Sequence, residues 1–130
     1  MKTKTISQTV RIKASPGDVY ESLMDSKKHS EITGDKAEIS KVKGGLFSTF
    51  GGYAKGKNLE LVPNQKIVQT WRADNWSEGH FSKITIELKK IGPETQLKFT
   101  QEDVPDFDYV SVAQGWEGYY WGSMKKYLEK

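Results

Sequence analysis

The chain has 130 residues, 20 basic and 17 acidic side chains, a formal charge of +3 and no cysteine. That length supports one domain, 1–130, with a core large enough to stand without staples; the lack of cysteine excludes disulfide frameworks, thiol catalysis and cysteine-held metal. Of the 20 basic residues only Arg11 and Arg72 are arginine, and the lysines are interleaved with acids, so a nucleic-acid partner is not expected.

Residues 5–13 alternate, with Ile6, Gln8, Val10 and Ile12 on one face, as in a strand with one buried side. Ser15-Pro16-Gly17-Asp18 then carries an N-cap, a first-turn proline and a capping acid, which open a short helix with Val19, Tyr20 and Leu23 on its apolar side. A second short helix is predicted from Ser26 to about Ile32, stopped at Gly34. From Lys36 to Asp103 the pattern is a β-meander of about six short strands, punctuated by Gly44-Gly45, Gly51-Gly52, Pro63-Asn64, Ala73–Gly79 and Gly92-Pro93. After Pro105 the period changes. Val112, Trp116, Tyr120, Met124 and Leu128 recur at helical spacing, so one long helix, Val110–Leu128, must lie across the sheet to hide them. The acids Glu102, Asp103, Asp106 and Asp108 read as a solvated, helix-capping loop.

No apolar run approaches the ~18 residues of a membrane span. With no cysteine and no apolar secretion core at the N-terminus, the cytoplasm is the expected compartment. Only His29 and His80 offer nitrogen ligands, without short spacing, so a His-rich metal site is excluded while one built from carboxylates is not; the acids around Pro105 lack the alternation of a calcium loop, and no metal or other cofactor is expected.

The fold class expected from this order is α+β. It resembles the helix-grip fold of the START-like (SRPBCC) superfamily: a curved antiparallel sheet of about six to seven strands, two short helices and a long C-terminal helix packed across them. Gly44-Gly45-Leu46-Phe47-Ser48-Thr49-Phe50-Gly51-Gly52, Gly56, Glu60-Leu61-Val62-Pro63, Ile67-Val68-Gln69-Thr70-Trp71-Arg72, Trp76–Ser82, Gly115-Trp116 and Tyr119-Tyr120-Trp121 are more specific. They resemble the C-terminal domain of the family of the activator of heat-shock protein 90 ATPase, over about Ser15 to Leu128. The resemblance implies a co-chaperone-like role with a chaperone partner. The family's eukaryotic co-chaperone carries a separate N-terminal domain for which this chain has no room, so weak or absent stimulation by the chain alone is expected. Stand-alone members of the superfamily look like carriers or modifiers of small apolar ligands.

A curved sheet gripped by a helix can leave a cavity or fill it. Phe50 and Trp71 from the sheet, and Trp116 and Tyr120 from the helix, are the candidate ligand-binding residues, with the mouth expected near Ala73–Gly79. The aromatic load brings N–H and O–H groups that need partners, which favours a partly polar cavity. The alternative function is a cyclase- or hydrolase-like START-fold enzyme acting on an apolar molecule, using Glu78 and His80 as an acid/base couple or Glu60 in the cavity. Glu60 and Arg72 are otherwise a candidate cross-strand ion pair. No catalytic motif is recognised. The stretch from Gly51 to Lys57 resembles a phosphate loop, but Asn58 replaces its hydroxyl residue and a strand follows where a helix is required. The expected state is a monomer or weak dimer.

Overall fold

The computed structural model describes residues 2–129. Strand β1 (Thr3–Ile12) leads into α1 (Pro16–Met24) and α2 (Ser26–Thr33), followed by β2 (Glu38–Ile39), β3 (Leu46–Thr49), β4 (Ala54–Val62), β5 (Lys66–Ala73), β6 (Ser82–Ile91) and β7 (Glu94–Pro105). The sheet order is β1-β7-β6-β5-β4-β3-β2, antiparallel throughout: six strands meander in sequence and β1 closes onto the last of them. This is the helix-grip α+β architecture, with seven strands.

Local chemistry explains the two short helices. The Ser15 hydroxyl accepts from the Asp18 amide at 3.1 Å and Pro16 occupies the first turn. Asp25 caps α2 by accepting from the Lys28 amide at 3.0 Å, and Gly34 ends it in the left-handed region at φ 78°. Register shifts between Lys4 and Ile6 and between Asn58 and Glu60 are bulges that bend the sheet around the core. Gly56 permits that curvature, because a Cβ there would collide with the Thr70 carbonyl and the Phe47 ring.

The C-terminal helix departs from the sequence expectation. It comprises α3 (Tyr109–Gly115), a π-helical stretch (Trp116–Gly122) and α4 (Ser123–Leu128), with right-handed helical backbone across both junctions. A stripe repeating every four residues drifts by about 40° per step on a helix of 3.6 residues per turn. The wider π turn takes up that drift, so Val112, Trp116, Tyr120 and Met124 are all buried, with Trp121 beside them. Against this face pack Ile6 and Ile12 of β1, Ile84 and Ile86 of β6, Leu97 and Phe99 of β7, and Val19 and Leu23 of α1.

Candidate functional site

Trp116 is the centre of the helix–sheet junction. Its ring stacks on Tyr120 (centroids 4.3 Å apart) and Trp121 (5.5 Å), and lies 4.4 Å from Phe99 of β7. Its indole N–H donates to Gln101 Oε1 at 2.9 Å; Gln101 Nε2 donates to Ser82 Oγ at 2.9 Å, and that hydroxyl donates to the Trp71 carbonyl at 2.7 Å. The chain of bonds ties the helix to β7, β6 and β5 in turn. Trp76 donates to Asp108 Oδ2 at 2.7 Å and Trp121 to Gln8 Oε1 at 2.7 Å. Three of the four indoles, those of Trp76, Trp116 and Trp121, thus donate to side chains at the helix–sheet junction, which weakens that reason for expecting a polar cavity.

Period two had already set Gln8 among the apolar residues of β1, and the same alternation places Gln101 beside Leu97 and Phe99 on the inner face of β7. That signal was readable, but which indole each amide would meet was not. His29, weighed from the sequence only as a metal ligand, was missed as a core residue. It is 3% exposed on α2, and its Nε2 lies 2.9 Å from the Tyr120 hydroxyl. Burial lowers its pKa to about 4, so the ring is neutral. Burial also raises the Tyr120 phenol, opposed by the Thr49 hydroxyl. A neutral histidine against a protonated phenol is a structural hydrogen bond, and it clamps α2 to the π turn.

The four sequence-predicted residues come together. Phe50, Trp71, Trp116 and Tyr120 line one open cleft of about 360 Å³, with Tyr53, Tyr119 and Asp35 at its other walls. Phe50 opens the 3-10 turn Phe50–Gly52 with φ 53°, a left-handed conformation unusual for a bulky residue. Edge-on contacts with Tyr119 and Tyr120, both 5.6 Å between centroids, hold it there. Behind the Trp116–Tyr120 wall, between helix and sheet, only about 20 Å³ remains, room for about one water.

Several expectations are corrected. The cleft opens between the 3-10 turn, the turn after α2 and the C-terminal helix, not at Ala73–Gly79; in that loop Trp76 is 4% exposed and packs on Trp71 with 5.3 Å between centroids. His80 directs Nε2 to the Asp103 carbonyl at 2.8 Å and Glu78 is exposed, so the two form no couple. Glu60 pairs with Lys66 at 3.7 Å, while Arg72 donates to the Trp76 carbonyl at 2.8 Å, because register sets Glu60 opposite Val68 and Arg72 opposite Lys55. Asp108 is a buried acceptor for Trp76 and makes no cap. The glycine-rich stretch before Lys57 runs into β4, not a helix.

With this geometry in view, comparison with known proteins decides the family. Residues 13–129 match the family described as activator of Hsp90 ATPase homolog 1-like protein. The chain belongs to that family. A Dictyostelium discoideum relative, named activator of 90 kDa heat shock protein ATPase homolog, is 35% identical over 116 residues, covering 88% of this chain and 30% of the relative. A human relative, homolog 1 of the same activator, is 30% identical over 112 residues, covering 86% and 33%. The chain thus spans about a third of the length of these curated relatives. The crystal structure of a Plasmodium falciparum protein described as an HSP90 activator superposes with a TM-score of 0.90 at 23% identity, covering 96% of each chain, which shows the shared fold. No helix among the described residues is long and apolar enough to cross a membrane.

Proposed function

We propose that residues 1–130 form one non-enzymatic, co-chaperone-like binding domain whose partner is a 90 kDa heat-shock protein. The observation that carries this reading is the family match over 13–129, nearly the whole chain. Phe107, Val110 and Tyr119, on the C-terminal helix and the turn before it, are 67%, 62% and 61% exposed, and are the contacts this reading offers a protein partner. Among the described residues His80 bonds the Asp103 carbonyl and Glu60 pairs with Lys66, so the enzymatic alternative, which rested on Glu78, His80 or Glu60, has no supporting geometry. The working compartment on this reading is the cytoplasm, and the active form is a monomer or weak dimer.

On this reading residues 1–130, tested by themselves, bind the chaperone and stimulate its ATPase weakly or not at all. Titration of the 130-residue chain into the cognate chaperone, by calorimetry and by ATPase assay, tests this. Saturable binding that weakens about tenfold when Phe107 and Tyr119 are both changed to serine is the expected result. Absence of binding would overturn the reading, and stoichiometric stimulation would show that this domain activates by itself.

The cleft carries a second reading. Its volume lies within the ~300–1,000 Å³ of small-molecule sites, and Phe50, Trp71, Trp116 and Tyr120 give it an aromatic lining suited to a small apolar ligand. A ligand held there binds the folded state only, and adds about 2.7 kcal/mol of stability at a hundred times its dissociation constant.

A further inference from the structure

We infer that the cleft beside Phe50 is selective for an organic ammonium cation, a quaternary or alkylated amine, over neutral and anionic molecules of the same shape. This deepens the ligand reading of the cleft and rests on it.

The lining is the first support. Six of the ten residues around the cleft are aromatic, and the one ionisable carboxylate or ammonium among them is that of Asp35. Aromatic rings carry negative π faces, which attract a desolvated cation that also has apolar surface. An anion meets no lysine or arginine in this wall.

The placement of Asp35 is the second support. The turn after α2 packs on the 3-10 turn, with the Gly51 amide donating to the Lys36 carbonyl at 3.0 Å, and this sets Asp35 at the edge of the rings. Its Oδ1 accepts from the Lys36 amide at 2.8 Å, and among the described residues it has no ion pair. The neighbouring Lys36 ammonium pairs with Glu38 at 3.1 Å, not with the exposed Asp35 carboxylate. Tyr53, in the same wall, has its phenol raised by burial and then by Asp108 and Asp74, so further negative potential reaches this end of a chain whose net charge is +3.

The chemistry narrows the cation. Calcium takes roughly six to eight oxygen ligands. The described residues contain no cluster of three metal-capable side chains, and the cleft offers one carboxylate. A cation that brings its own apolar shell needs only the rings and a single counter-charge.

The test uses the whole chain at constant ionic strength. Choline and its neutral carbon isostere, 3,3-dimethylbutan-1-ol, are titrated separately while backbone amide and indole resonances are followed by NMR. Choline should shift Gly51, Ser111, Gly115 and the Trp71 indole in a saturable way, and bind about fivefold tighter than the alcohol. Asp35→Asn, which keeps an acceptor for the Lys36 amide, should bring the two ligands to near parity. Tyr119→Leu, which removes one ring of the wall, should weaken choline binding. Equal binding of choline and the alcohol, unaffected by Asp35→Asn, would overturn the cation assignment and leave the apolar-ligand reading standing. No cleft shifts with either probe would overturn both, with the chaperone reading untouched.

Discussion

Two spaces lie on opposite sides of the Trp116–Tyr120 stack, and they differ by more than tenfold in size: about 20 Å³ inside, between helix and sheet, and about 360 Å³ outside, in the open cleft. Trp71, Trp116 and Tyr120 line both. The inner side is tied by hydrogen bonds to Gln101 and His29; the outer side meets Phe50 and Tyr119 through ring edges and stays open. A helix-grip fold therefore need not keep its cavity in the grip. Here the π turn sets large rings into the gap and turns the would-be cavity into a wall with a cleft on its far face.

The strongest way to break this comparison is to remove the wall. Trp116 is 5% exposed, so Trp116→Ala should cost about 3–5 kcal/mol in denaturant unfolding and join the two spaces. An unchanged midpoint would mean that the helix is held elsewhere. Acid attacks the inner side through His29. The folded pKa of His29 is about 4, whereas an unfolded histidine titrates near ~6.5. As pH falls through that window the unfolded chain takes up a proton that the folded chain refuses, so stability is full above ~6.5 and drops by about 3 kcal/mol by pH ~4. Urea midpoints at neutral and acid pH should show this loss in the wild type, and His29→Gln should flatten that part of the profile.

Gln101→Leu keeps the volume but strands the Trp116 N–H in the core, a loss of about 1–3 kcal/mol. Calorimetric melting should detect it, and a neutral result would show that packing alone holds the wall. The smallest effect belongs to Tyr120→Phe, which deletes the bond to His29 and leaves the stack in place. About 1 kcal/mol is expected, with choline titration of the cleft unaltered. A loss as large as that of Trp116→Ala would relocate the anchor from the rings to the hydrogen bond.

The alternation in β1, the Ser15 cap, the Gly34 stop and the turn residues of the meander were legible because each acts within a few residues of itself. The aromatic candidates were legible as residue types, with Trp71, Trp116 and Tyr120 on the expected elements and Phe50 in the 3-10 turn instead of the sheet, and the motifs around them carried the family. What stayed hidden depended on register and on side chains far apart in sequence. Arg72 faces Lys55, not Glu60, because the hairpin register pairs Glu60 with Val68, four residues along β5 from Arg72. His29 meets Tyr120 across 91 residues, and Asp108 meets Trp76 across 32.

The sequence by itself determined the element order, the helix-grip class and the family, since periodicity, caps and turn chemistry are local and the motifs are contiguous. Only the tertiary structure decided that the grip is filled, that the cleft opens beside Phe50, and that Asp35 stands there without a counter-ion among the described residues. Those outcomes turn on how large rings share one volume and on which charges the fold brings to its rim, and neither follows from residue spacing along the chain.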